Sequence, residues 1–302
     1  MSHNYGQFVA LSNLNLKLEG QKCVGFLGPN GAGKTTAMKV FTGLIKATQG
    51  KALVNGVDIS KDKKGALASC TSLIETPEIY PSLTPREALS MLCEIRGVPK
   101  GERHARIEEV LGEVKMQDWQ DKKVGSFSKG MKQRVNVAST LLGDPDVVIL
   151  DEPTTGLDPR GMSEVRDIVK SLRNRLVFMS SHLLAEVTEV CQEVALIDHG
   201  KLLVYDTIGN VTAKFAGGGG SVVVGFSRPV DAQIISRIGS MEGIQSVSPS
   251  SELHIVVKFD PRITNQEKLF EKVAELRAGA MSFKETASGL EDAYLSLIKE
   301  TL

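Results

Sequence analysis

Eight residues near the N-terminus, Gly28-Pro29-Asn30-Gly31-Ala32-Gly33-Lys34-Thr35, have the types and the order needed to hold a chain of phosphates. Glycines let the backbone turn its N–H groups inward around phosphate oxygens, and a helix that starts where the loop ends adds the positive end of its dipole. Lys34 supplies a mobile positive charge, Thr35 a hydroxyl for Mg²⁺, and Thr36 joins them among the predicted nucleotide contacts. The expected ligand is ATP with its magnesium, and a ligand-free glycine-rich turn is the alternative. A second acidic site follows at Leu150-Asp151-Glu152-Pro153. Asp151 ends an apolar run and is placed to hold magnesium through water, while Glu152 is placed to activate an attacking water. Two carboxylates at a strand end also suit a solvated loop start, but a phosphate loop upstream weighs against that.

Such residues converge only if strands carry them to one edge. Cys23–Leu27 is an apolar run that leads into the glycine loop, and Ala37, Val40, Phe41 and Leu44 then repeat at helical spacing. Val147–Leu150 and Leu176–Met179 are two more apolar runs ending in polar residues. Apolar runs alternating with helical patterns predict an α/β fold with a parallel sheet, its carboxyl edge facing one ligand. Val194–Ile197 and Leu202–Tyr205, joined through His199-Gly200, predict a hairpin that closes this first domain over residues 1–215. Within it, residues 84–143 form a helical subdomain, opened by Pro85 and marked by Ile107, Val110, Leu111 and Val114.

The glycines at 217–220 predict a linker over 216–220, because four in a row are costly to order. Residues 221–302 then form a second domain: strand Val222–Phe226, helix Asp231–Met241, strand near Ile244–Val247, strand Leu253–Phe259, helix Gln266–Arg277 and strand Met281–Glu285, in the order of a small α+β ferredoxin-like module. An amphipathic helix over Leu290–Leu302 is expected to end the chain.

Composition excludes several classes. Lys plus Arg and Asp plus Glu balance at 36 each, so no overall basic field favours nucleic acid. Cys23, Cys70, Cys93 and Cys191 are dispersed without a CxxC pair, which fits buried reduced thiols better than disulfides or zinc. No apolar run approaches the roughly 18–20 residues of a membrane span, and Met1–Tyr5 lacks the pattern of a signal peptide.

Phe127-Ser128-Lys129-Gly130-Met131-Lys132-Gln133-Arg134 resembles the signature segment of ABC ATPases, and its distance ahead of Asp151 matches. By itself Ser128 is an ordinary helix cap. The resemblance implies a P-loop ATPase core and an ATP-sandwich dimer, in which Ser128 and Gly130 address the ATP of the opposite subunit. Gly156-Leu157-Asp158 resembles the D-loop, His182 in Ser180-Ser181-His182 resembles the switch histidine that contacts γ-phosphate, and Tyr5-Gly6 resembles the A-loop whose ring stacks on adenine. A histidine after a strand and a tyrosine near a terminus also serve as packing residues. Two features depart from the family pattern. Its loop glutamine is Glu75 here, a carboxylate that can still meet Mg²⁺ and that resembles the bacitracin- and lantibiotic-type exporter ATPases; and only four residues precede Tyr5, where the family has a strand. Ser288–Tyr294 is similar to the C-terminal ends of drug- and antibiotic-export subunits.

The resemblance implies an ATPase subunit that powers export through separate membrane permeases, as a homodimer or paired with a similar ATPase, peripheral on the cytoplasmic face of the membrane. Glu152, His182 and Lys34 are its expected catalytic residues, and Thr35, Asp151 and Glu75 its expected metal contacts. Asp158 joins the phosphate loop, Tyr5, Ser128 and Gly130 among the nucleotide contacts. The rival expectations are a soluble ABC ATPase acting on nucleic acid or ribosomes, and a module that holds ATP without turning it over.

Overall fold

The structure, a computed structural model, describes residues 1–75, 77–215, 220–260 and 263–285 together with positions 290, 294 and 297. An antiparallel pair, β1 (His3–Tyr5) and β2 (Phe8–Leu11), comes first, then the buried β3 (Lys22–Leu27) and α1 (Lys34–Phe41). The short pair β4 (Leu53–Val54) and β5 (Val57–Asp58) and the single-turn α2 (Lys63–Ala66) precede β6 (Cys70–Leu73). Three helices, α3 (Pro85–Ile95), α4 (Arg103–Glu113) and α5 (Lys129–Leu141), occupy the segment read as helical. β7 (Val147–Leu150), α6 (Pro159–Ser171), β8 (Leu176–Ser181), α7 (Leu184–Val190), β9 (Glu193–Asp198) and β10 (Lys201–Thr207) follow.

One six-stranded sheet runs β10-β9-β3-β8-β7-β6, parallel throughout except where β10 turns back on β9. Leu27 lies opposite Ser181 and Leu196, and Leu150 opposite Leu73 and Met179, so the carboxyl ends of β3, β6, β7, β8 and β9 finish level. The phosphate loop, Glu75, the two acids and His182 all follow strands that end at that edge, whereas Tyr5 lies on β1 and Ser128 caps α5. Helices covering such a sheet require apolar side chains on both faces of each strand, which is why Val147–Leu150 reads as an unbroken run. Phe178 stacks at 5.1 Å from Phe26 and 5.9 Å from Phe41 of α1, fastening that helix to the sheet. Truncating a phenylalanine at such a site typically costs about 3–5 kcal/mol. α3 starts with a capping box: Thr84 accepts from the Glu87 N–H while Glu87 accepts from the Thr84 N–H, ahead of Pro85.

The chain divides into two compact units, Met1–Thr207 and Ile208–Leu302. The second holds α8 (Ile208–Phe215), β11 (Gly220–Phe226), α9 (Ala232–Gly239), β12 (Ile244–Ser251), β13 (His254–Phe259), α10 (Gln266–Glu275) and β14 (Ala280–Glu285). Its antiparallel sheet runs β12-β13-β11-β14, a β-α-β-β-α-β arrangement after α8, with Val222, Val224, Ile255 and Val257 packed against Ile238, Leu269 and Val273. α8 groups with this unit rather than with the ATP-site unit, so the division falls earlier than the boundary read at 215. β12 continues through Pro249, beyond the predicted Val247, because an edge strand tolerates a residue without an N–H. Of the glycine linker, residues 216–219 lie outside the described residues and Gly220 opens β11. Most of the helix read over Leu290–Leu302, and of the segment Ser288–Tyr294, lies outside them as well. Among the described residues no helix is long and apolar enough to cross a membrane, and all four cysteines are buried and free.

Candidate functional site

The phosphate loop is shaped by what presses on it from behind. At Gly28 a Cβ would come within 2.2 Å of the Ile197 carbonyl oxygen, so only glycine lets the loop start this close to β9. Gly33 stands at φ 102°, and a Cβ there would strike the Ala10 carbonyl oxygen at 2.6 Å. The β9–β10 hairpin props the loop: the Gly200 N–H donates to the Ala32 carbonyl at 2.9 Å, and the Gly200 carbonyl accepts from the Ser12 N–H at 2.9 Å. α1 then begins at Lys34 with no side-chain cap, which leaves its first N–H groups for an anion.

Lys34 is buried and folds back onto its own loop, donating to the carbonyls of Gly28 at 2.8 Å and Pro29 at 3.1 Å. Its ammonium also lies 3.3 Å from the Glu152 carboxylate. Thr35 donates to Asp151 at 2.8 Å, and Ser180 donates to the other Asp151 oxygen at 2.5 Å. Ser180 in turn accepts from the Glu152 N–H at 2.9 Å, so one hydroxyl at the end of β8 orders both acids at the end of β7. A hydroxyl and a carboxylate on one spot form an oxygen-only donor set, which fits a hard cation such as Mg²⁺.

Glu152 sits at φ 47°, a left-handed backbone that costs an ordinary side chain about 1–2 kcal/mol. Its carboxylate meets His182 Nδ1 at 2.6 Å and the Thr155 hydroxyl at 2.9 Å in addition to Lys34. Burial pushes its pKa up, but the hydrogen bonds from His182 and Thr155 and the charge on Lys34 outweigh burial and hold the carboxyl below its ordinary value. The acid is therefore ionised near neutral pH, as a proton acceptor must be. A cavity of about 380 Å³ opens over this cluster, lined by Phe8, Gly31, Lys34, Thr36, Glu152 and His182 among others.

Not every predicted contact gathers here. Glu75, read as a metal contact, binds Lys39 of α1 at 2.6 Å, and it raises the Lys39 pKa through that hydrogen bond. A carboxylate and an ammonium in contact satisfy each other first. Tyr5 is 49% exposed and packs edge-on against His3, whereas Phe8, paired with it across β1 and β2, faces the cavity. Ser128 caps α5 by accepting from the Met131 N–H, and Asp158 caps α6 by accepting from the Gly161 N–H. Gly130 lies where a Cβ would come within 3.2 Å of the Gly161 Cα, so α5 and α6 start in close contact. Neither Ser128 nor Gly130 lines the cavity over the phosphate loop of its own chain.

Sequence reading passed over Phe8, Thr155, Ser180 and Lys39. Nothing in the type or spacing of these four residues marks them out in the sequence.

Residues 11–155 match the ABC transporter family model. The bacitracin transport ATP-binding protein BcrA of Bacillus licheniformis is 44% identical over 202 residues, 66% of this chain and 65% of that protein. The lantibiotic transport ATP-binding protein SrtF of Streptococcus pyogenes is 34% identical over 220 residues, 71% of this chain and 93% of that protein. A solved ATP-binding subunit of an ABC transporter superposes with a TM-score of 0.63 at 26% identity, covering 71% of this chain and 90% of that one. The chain thus spans just under two thirds of the bacitracin relative's length.

Proposed function

As a member of the ABC transporter family of ATP-binding subunits, the chain, we propose, binds ATP over its phosphate loop, hydrolyses it to ADP and phosphate, and powers export of a drug or peptide antibiotic through separate membrane permease subunits. The observation that carries this reading is the meeting of Lys34, Glu152 and His182 over one cavity, with Asp151 bonded to Thr35 beside them. The bacitracin and lantibiotic transport names of the relatives support the exporter part.

The N–H groups of the loop and of the first turn of α1 receive the phosphates. Lys34, now turned onto Gly28, Pro29 and Glu152, exchanges those partners for phosphate oxygens. His182 likewise exchanges Glu152 for the terminal phosphate, which frees one carboxylate oxygen. Glu152 then accepts a proton from the attacking water, while Ser180 keeps its backbone in place. Thr35 and Asp151 would hold Mg²⁺, which when bound would supply positive charge against that developing on the phosphates. Ser128 and Gly130, which do not line the cavity of their own chain, complete the site of a second copy in an ATP-sandwich dimer. Binding closes that dimer and hydrolysis reopens it. The subunit works at the cytoplasmic face of the membrane, held there by its permease.

The test is ATPase activity against protein concentration, with Glu152→Gln as the control. Specific activity is expected to rise with concentration and to vanish in the variant. A constant activity from a chain that sediments as a monomer overturns the shared site.

A further inference from the structure

Glu186 is 2% exposed on α7, and among the described residues no ion pair reaches it. A buried carboxylate without a cation is costly, so its place needs a reason that a leucine would not meet. Its two oxygens divide the work. One accepts from the Thr154 hydroxyl at 2.6 Å and the other from the Ser181 hydroxyl at 2.6 Å. Thr154 stands two residues after Glu152, and Ser181 one residue before His182.

Ser181 is itself tied on three sides. Its hydroxyl oxygen accepts from the Leu183 N–H at 2.9 Å, closing the turn around His182, and its carbonyl accepts from the Gly28 N–H at 3.4 Å, where the phosphate loop starts. One carboxylate thus grips the turn that carries Glu152, the turn that carries His182 and, through Ser181, the first residue of the phosphate loop. Ser180 orders the two acids directly, and Glu186 holds the turn that follows them through Thr154.

We propose that Glu186 is a positioning residue that sets the separation of Glu152 and His182 by clamping Thr154 against Ser181. The proposal rests on the hydrolytic reading above for its kinetic consequence, but the clamp itself acts in the nucleotide-free chain, where His182 meets Glu152 at 2.6 Å.

The experiment uses the full chain with Glu186→Ala, Glu186→Gln and, in case the first does not fold, Thr154→Val, which removes one arm of the clamp and leaves the carboxylate with Ser181. Two readouts are taken below the unfolding temperature of each variant. In nucleotide-free protein the imidazole resonances of His182, identified by their loss in His182→Asn, are expected to leave the position set by the Glu152 hydrogen bond in Glu186→Ala and Thr154→Val. In the ATPase assay kcat is expected to fall roughly 10- to 100-fold, the loss typical of a misplaced catalytic pair, with KM for ATP within about twofold. Glu186→Gln, whose amide oxygen still accepts one of the two hydroxyls, is expected to recover most of both. Unmoved His182 resonances overturn the proposal, as does a fall in melting temperature with kcat unchanged, which marks a brace for the fold alone. A wild-type chain without ATPase activity overturns the hydrolytic reading instead, and the resonances still decide the clamp.

Discussion

Glu75 and Glu152 leave adjacent parallel strands at matching points, each two residues beyond a paired leucine, Leu73 on β6 and Leu150 on β7. Both backbones are left-handed, at φ 54° and 47°, and both carboxylates reach a lysine of α1, Lys39 for the first and Lys34 for the second. From there they diverge. The Glu75 side chain is 71% exposed and ion-paired with Lys39; that of Glu152 is 22% exposed and shared among Lys34, His182 and Thr155. The same backbone shape therefore serves two purposes, and neighbours rather than conformation decide which acid can take a proton from water. Lys34 and His182 are both groups that a bound phosphate would claim. Lys39 lies farther along α1 and keeps its acid out on the surface.

The largest effect that sharpens this contrast is catalytic. Glu152→Gln is expected to slow turnover by roughly 10²-fold or more with ATP binding intact, while Glu75→Gln changes kcat by less than about fivefold. Measuring both under saturating Mg²⁺ and ATP checks the pair, and equal losses would erase the distinction. The next effect is on stability. Glu152→Ala is expected to cost about 1–2 kcal/mol more than Glu75→Ala in urea denaturation, since it leaves the buried Lys34 ammonium without its carboxylate and removes the acceptor of two hydrogen bonds, whereas the other loses only an exposed ion pair. Backbone strain cancels between the two alanine variants. It can be read separately, because glycine in place of alanine is expected to return about 1 kcal/mol at either position, and a gain at only one would mean that the two backbones are not alike. Smallest is the Lys39–Glu75 pair itself, worth below about 0.5 kcal/mol and fading as salt rises to 1 M. A salt-independent contribution from it would place Glu75 in a drier site than its exposure implies.

What sequence made legible follows the reach of each signal. The phosphate loop could be read because its constraints are local: Gly28 and Gly33 are required by close approach and by positive φ, and Lys34 and Thr35 follow at fixed offsets. The strands β3, β7 and β8 could be read because burial on both faces leaves unbroken apolar runs. β6, with the sequence Cys-Thr-Ser-Leu, has no such run and was not singled out, although it is the strand that carries Glu75 to the edge. Ser180, Thr155 and Phe8 were invisible for a different reason. Their types are commonplace, and only the register of β8 against β7 and of β1 against β2 sets what they touch. The same holds for Lys39, whose partner comes from a loop 36 residues away.

The glycine at the tip of the β9–β10 hairpin reads in sequence only as a turn residue, yet position 200 touches the phosphate loop through Ala32 and crowds Ala10, where a Cβ would come within 2.5 Å of the carbonyl oxygen. Loop and hairpin are consequently a single unit of exchange. A chimaera that takes its ATP loop from one relative and its last strands from another inherits a working cradle only if the donated turn brings its own glycine.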